Sequence, residues 1–434
     1  MFSTSSRVLT LAIVAAVGVL APSVVSTPAV GHPQHSADPA VITEWDAIAA
    51  RTIVTENATP APSSNLYFGY VSIAVYDAVV AIEGEYEPYN PQPRAHRQAS
   101  PDVAAATAAY IVLRHHFPAS AANLDADYRS YLSEVRKGVG LVKGIRVGTT
   151  AALTLLKSRH GDGLNDGTIK FDAEPAPGVW RPTPEAFLPF AVPWLGFVRP
   201  LALESATQFP LPAPYPLDSE AYAADFAEVK AYGSLTGSAR NDEQTEIARF
   251  FSANPVPQYH ATLRDAATQR GLNIVDSARA FALLGPSNAD ALITCWRAKF
   301  DVPTWRPITA IREADSDGNA ATVADPTWTP VVPTPPYSDY ASGHACVTGS
   351  TSNVFGYLFG ENTLDIDIPA LVASTTARHY DSTDAWDQDA LNARVWLGLH
   401  VRQSMGFANE VAHKASDWVI STQFQPARGH HGGH

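Results

Sequence analysis

Only two cysteines occur in the 434 residues, Cys295 and Cys346, so at most one internal disulfide is possible. Nothing along the chain places them side by side, and they are read as two buried thiols. No stretch shows the strict alternation of a half-buried strand, and no unit returns at a fixed interval. That argues against a fold built on sheets or on repeats. Basic residues are also in the minority, 30 Lys and Arg against 43 Asp and Glu, with a formal net charge of −13. An acidic chain repels nucleic acid and anionic membranes, which sets those partners aside. Any local cluster of cations is then informative, because the composition does not supply it by default.

What is present begins with an export-type N-terminus. Arg7 gives the positive start and Val8 to Ala21 the apolar run, with small residues and prolines around a cut expected within Ser26 to Gly31. The run is shorter than the roughly 20 residues that a spanning helix needs, and no second such run is found downstream. The expectation is a secreted protein with a signal peptide over residues 1–31 and no membrane span. Residues 32–65 read as an N-terminal lead, polar at first, and residues 426–434 as a histidine-rich tail.

Between them, helical periodicity dominates. An N-terminal helical part is expected over 66–216 and a second helical part over 217–425. Leu66 to Ile82 is apolar on most faces, as a buried helix would be. Ser100-Pro101 marks a helix start, and further helices fit Asn123 to Lys137, Lys143 to His160, Asp218 to Gly233, Asn241 to Ala253, Tyr259 to Arg270 and Ile274 to Ala298. Ser342 to Phe359 and Ala385 to Thr422 continue the pattern. Gly161 to Pro216 is too rich in proline for helix, yet it carries tryptophan and phenylalanine, so it is expected to drape over the bundle and wall a cleft. His115 and His116 resemble a metal pair only in sequence, since neighbours on a helix point about 100° apart. The fold class is mainly α, of helical-bundle type.

Three short strings carry the chemistry. In WRAKFDVPTWRP (Trp296 to Pro307), Lys299 and Arg306 flank a proline turn; an arginine fork binds two oxygens of one anion and a lysine acts as a mobile point charge. In YASGHA (Tyr340 to Ala345), Ser342 suits an N-cap, Gly343 admits close approach to a ligand, and His344 can carry a proton near neutral pH. In ARVWLGLH (Ala393 to His400), Arg394 and His400 lie six residues apart, about 240° around a helix, and Gly398 between them allows another segment to come close. Singly, each string has an ordinary structural reading: solvent cations, a helix cap, a core histidine. Together they form a set suited to a tetrahedral oxyanion.

Lysine, six residues, arginine-proline; then serine-glycine-histidine; then arginine, five residues, histidine: this series resembles the vanadium-dependent haloperoxidases and their relatives, the type 2 phosphatidate phosphatases and bacterial acid phosphatases. The resemblance is specific over residues 290–420 and implies helical bundles of that type. It implies one vanadate per chain, with Lys299, Arg306 and Arg394 on its oxygens, Ser342 and the Gly343 N–H adding hydrogen bonds, His400 as the ligand to vanadium, and His344 as acid and base. Lys299 would also polarise bound peroxide. The reaction implied is oxidation of halide by hydrogen peroxide to hypohalous acid, with a small organic acceptor. Trp296 and Tyr337 fall where the fungal chloroperoxidase type has aromatic residues, and could form a halide pocket. The same atoms fit a second reading, a vanadate-inhibited acid phosphatase with no resident cofactor, in which His400 attacks phosphorus.

The sequence departs from the pattern at three places. Ala341 replaces the usual proline, and Ala393 replaces a serine that precedes the arginine in phosphatase-type motifs. Ser404 stands where those motifs have an aspartate four residues after the histidine. The partner that orients His400 is therefore unassigned, and Asp242, Glu243 and Glu246 are only candidates for the acid that faces Arg394.

Overall fold

The computed structural model describes residues 37–427, so the expected signal peptide and all but the first two residues of the expected tail lie outside the described residues. Thirteen α-helices and one two-stranded hairpin are found among the described residues. The N-terminal lead expected up to residue 65 is corrected: its described residues include helix α1 (Ala40–Ala50), which runs into a π-helical turn, Arg51–Glu56. Val41, Ile42, Trp45 and Ala49 put one apolar face of α1 into the core, a stripe that lies on a single side of a helix.

Helices α2 (Ala61–Glu83), α3 (Pro101–His116), α4 (Ala121–Glu134) and α5 (Val139–Ser158) follow, then α6 (Glu220–Tyr232), α7 (Asp242–Phe250), α8 (Pro255–Gln269), α9 (Ile274–Asp301), α10 (Pro307–Arg312) and α11 (Gly343–Phe359). The hairpin of β1 (Ile366–Ile368) and β2 (Arg378–Tyr380) is antiparallel with Ile366 opposite Tyr380, a small exception to the expectation of no strands. Helices α12 (Thr383–Trp396) and α13 (Arg402–Thr422) close the order. Seven helices start behind a serine or asparagine whose side chain accepts a backbone N–H of the first turn: Ser100, Ser219, Asn241, Asn254, Asn273, Ser342 and Ser382. These are local signals, and they satisfy donors that a helix start leaves free.

The expected helical parts share one core, which runs without a break from Val41 to Phe424. Its axis is the pair α2 and α9. Both are long and buried, and they cross where small residues meet. A Cβ on Gly285 would stand 2.6 Å from Ser72 Oγ and 2.9 Å from Gly69 Cα. Gly285→Ala is therefore expected to destabilise by about 1–3 kcal/mol through overpacking, read as a lower urea midpoint; an unchanged midpoint would show that the crossing can relax. By length and composition, α2 and α5 are each apolar enough to cross a membrane, which corrects the reading that no second such run follows. In α2 the apolar window is 89% buried inside the protein, as an inner core helix requires.

The proline-rich connection lies against the core, as expected of a cover. Trp180 N–H donates to Pro303 O (2.8 Å), Ala191 N–H to Pro336 O (2.8 Å), and Tyr215 N–H to Gln403 Oε1 (2.8 Å). Asp290 of α9 anchors it further by accepting from Leu201, Ala202 and Leu203 N–H at 2.6, 2.7 and 2.8 Å. Backbone groups that proline denies to a helix are thus paired with the core behind them. Cys295 and Cys346 form a disulfide between α9 and α11, with Cα atoms 6.8 Å apart, so the reading as two free thiols is corrected.

Helices α11, α12 and α13 are joined by one partly buried network. Ser352 Oγ donates to Asp387 Oδ1 (2.8 Å), and His413 Nε2 meets Asp387 Oδ2 (2.7 Å). Burial alone would lower the His413 pKa, but the bond and charge of Asp387 outweigh it and hold it above the ordinary value. A histidine raised in the fold stabilises fully below about pH 6.5 and loses that contribution as pH rises through its folded value. His413→Gln should therefore cost more stability at pH 6 than at pH 9 in matched denaturant titrations; equal losses would mean the pair is not charged.

Candidate anion-binding active site

The three strings, distant in sequence, meet at one place. Lys299 stands near the C-terminal end of α9, and the turn that follows brings Arg306 to the start of α10. Both side chains are fully buried. Lys299 Nζ donates to Ser338 O (2.6 Å) and Asp339 O (3.0 Å). Arg306 Nε donates to Tyr337 O (2.6 Å) and Nη1 to Leu399 O (2.7 Å). The proline-rich loop before α11 thus lies across both cations and offers them carbonyls. Arg394, at the end of α12, is also buried; its Nη1 donates to Phe251 O (3.2 Å), while its Nε has no protein partner.

Ser342 caps α11, and its own N–H donates to Ser404 O (3.1 Å). Gly343 opens the helix with Trp296 packed directly on it, since a Cβ there would stand 2.5 Å from the Trp296 ring. His344 follows, buried, with its ring 6.2 Å from Phe251 and its Nε2 without a protein partner.

One helix was expected through Ala385 to Thr422. It breaks between α12 and α13, at Leu397 to Val401. Gly398 adopts a φ of +76°, a conformation that favours glycine, and a Cβ there would stand 2.5 Å from Gly233 O. The break matters because it frees His400 from the helical 240° offset to Arg394 and turns it into the cation cluster. His400 Nε2 lies 3.1 Å from Arg306 Nη1. Its Nδ1 lies 2.7 Å from Asp339 Oδ1, both side chains being buried.

The electrostatics agree with the geometry. Burial, then Arg306, pushes the Lys299 ammonium well below its ordinary value. Burial lowers His400 well below the usual range, with Arg306, Lys299, Arg394 and His344 acting in the same direction. Burial and then Arg394 do the same to His344. Burial and the neighbouring cations thus favour the neutral form of both imidazoles. Asp339 is pushed up to about 7 by burial, against the pull of Arg306 and Lys299. Three buried cationic side chains face a single carboxylate. Such a surplus makes the site suited to an anion.

All the expected site residues come together. Trp296 and Tyr337 are in contact, ring centroids 4.9 Å apart, with Lys299 Nζ 5.5 and 5.0 Å from them. They pack around the lysine as much as they line the site, and the Trp296 indole donates to Ala191 O (3.3 Å). None of the three acids proposed to face Arg394 pairs with it. Glu246 bridges to Arg378 (2.7 Å), and Asp242 and Glu243 sit exposed in the first turn of α7, at the end of that helix remote from the Phe251 carbonyl that Arg394 uses. Asp339 was missed. Its signal was available, because it is the only acid between Asp325 and Glu361, in a run of prolines and small residues.

A mostly helical bundle with three buried basic side chains, a capped helix start and two buried histidines around one point is an arrangement suited to a small oxyanion. Residues 279–429 match the family model of the VCPO second helical-bundle domain. The vanadium chloroperoxidase of Curvularia inaequalis is 27% identical over an alignment that covers 32% of this chain and 30% of that protein. The chain thus spans under a third of that curated relative's length in the match. Among solved structures, a bacterial vanadium-dependent iodoperoxidase aligns with a TM-score of 0.79 at 22% identity, covering 90% of this chain and 98% of that one. A holo-type bacterial vanadium-dependent chloroperoxidase aligns with a TM-score of 0.70 at 16% identity, covering 89% of this chain and 97% of that one. These likenesses establish the fold and bear out the resemblance read from the three strings.

Proposed function

We propose that this chain is a secreted, vanadate-dependent haloperoxidase that uses hydrogen peroxide to oxidise halide to hypohalous acid. The observation that carries the proposal is the convergence of Lys299, Arg306 and Arg394 with neutral His344 and His400. Vanadate fits this donor set. Arg394 Nε and His344 Nε2 are buried without protein partners, and the cations outnumber the carboxylates. The three cations would hold its oxygens together with Ser342 and the Gly343 N–H, while His400 Nε2 would offer its lone pair to the metal. Bound vanadate would supply a Lewis acid that activates peroxide towards halide without changing its own oxidation state.

The protein's own part is positioning and proton handling. His344 would take a proton at Nε2 and return it, because that nitrogen is buried in the site with no protein partner and burial favours the neutral ring that can accept one. Lys299 adds positive charge where negative charge develops. Trp296 and Tyr337 keep that side of the site apolar. Export is supported by the apolar N-terminal run and by the Cys295–Cys346 disulfide, which suits an oxidising compartment. The test is an assay of purified protein with and without vanadate, using peroxide and iodide, bromide or chloride. Halide oxidation that requires vanadate is expected. Cleavage of phosphate esters that vanadate inhibits would instead establish the phosphatase reading.

A further inference from the structure

We propose that Asp339 is the positioning residue that fixes the proton of His400 on Nδ1 and so presents Nε2, unprotonated, to the bound oxyanion. The inference rests on the reading of His400 as the ligand or nucleophile. Phosphatase-type motifs place an aspartate four residues after the histidine, and this chain has Ser404 there. The carboxylate that meets the ring comes from another segment, three residues before Ser342. Asp339 Oδ1 lies 2.7 Å from His400 Nδ1.

The surroundings leave little alternative. A neutral imidazole carries one N–H, and a buried acceptor at one nitrogen claims it. Around His400, the Leu399 carbonyl is already used by Arg306 Nη1, and that same Nη1 stands 3.1 Å from Nε2 as a donor. An N–H on Nε2 would point at a guanidinium donor, so the proton belongs on Nδ1. Asp339 is itself held: its carbonyl accepts from Lys299 Nζ (3.0 Å) and from Ser404 Oγ (2.8 Å). Ser404 thus serves the relocated aspartate by supporting its backbone. The N–H of Ser342 donates to Ser404 O (3.1 Å), so one small buried residue ties the carboxylate segment to the start of α11.

A competing role would be plain charge balance, because Asp339 is also the carboxylate that offsets Lys299 and Arg306. The two roles predict opposite results for anion binding. If Asp339 only balances charge, its removal strengthens every anion alike. If it positions His400, its removal weakens the anion that bonds to a ring nitrogen and spares one held by charge alone. Vanadate and sulfate are the two probes, measured by calorimetry on the full-length protein, the wild type against Asp339→Ala, Asp339→Asn and His400→Ala.

The wild type should prefer vanadate over sulfate, and His400→Ala should lose that preference. Asp339→Ala should lose about 10–100-fold of it, the usual effect of removing the partner of a ligating histidine, while binding sulfate no more weakly. Asp339→Asn keeps an acceptor oxygen without the charge and should fall between. Equal strengthening of both anions in Asp339→Ala would overturn the proposal. If Asp339→Ala does not fold by circular dichroism, Asp339→Asn decides: an undiminished preference for vanadate overturns it and a reduced one supports it. A wild type without any preference that His400→Ala can remove would overturn the underlying reading of His400 as well, whereas a preference lost in His400→Ala and kept in both Asp339 variants sinks only the positioning role.

Discussion

His400→Ala is expected to abolish turnover, with the rate falling by about a thousandfold or more and vanadate no longer retained on desalting. A group that binds the reacting centre through a bond cannot be replaced by charge nearby, and removing such a group costs a large part of the rate enhancement. The fold should survive. His400 sits in the break between α12 and α13, outside any helical hydrogen-bond ladder, and Asp339 keeps Arg306 and Lys299 as electrostatic partners when the ring is gone. Steady-state rates, vanadium content per chain and a thermal melt together check this. A variant that keeps full turnover would show that His400 is neither ligand nor nucleophile.

Lys299→Met should separate function from stability. The amine is fully buried and near two further cations, so burial and Arg306 both disfavour its charged form. Methionine has similar length and no charge. Its introduction frees one carbonyl, Ser338 O, because Asp339 O still accepts from Ser404 Oγ. An unpaired carbonyl costs about 1–3 kcal/mol, whereas replacing a buried charge by an apolar side chain is often neutral or stabilising by about 1–4 kcal/mol. Arg306 opposes the charge more strongly than Asp339 favours it, and Arg394 opposes it as well, so the relief should prevail and unliganded Lys299→Met should unfold at equal or higher urea concentration than the wild type. Its activity should fall by about 10²–10³-fold, as when one preorganised charge is removed from an active site. A clear loss of stability would show that the ammonium holds the 335–340 loop more than it strains the core.

Helix starts at Ser100, Asn241 and Ser342 were readable because a cap acts on N–H groups two or three residues away. The buried character of α2 followed from apolar residues on most of its faces. The break before His400 was harder, because Gly398 interrupts an otherwise good helical pattern and its reason, the approach of Gly233, lies 165 positions away. The acids proposed for Arg394 failed for the same kind of reason. Charge type suggested them, but the protein partner of the guanidinium is the Phe251 carbonyl, met by Nη1 alone, and a carbonyl leaves no mark in the sequence.

By itself, then, the chain determined the helical class, the inventory of the site and the order in which Lys299, Arg306, Ser342, Gly343, His344, Arg394 and His400 arrive. Those depend on side-chain chemistry and on interactions within a turn or two. Tertiary structure alone decided that Asp339 meets His400, that Cys295 joins Cys346, and that Trp296 lies on Gly343. Such contacts depend on which helix faces meet and where proline-rich segments without any period come to rest, and only the packed core sets those distances.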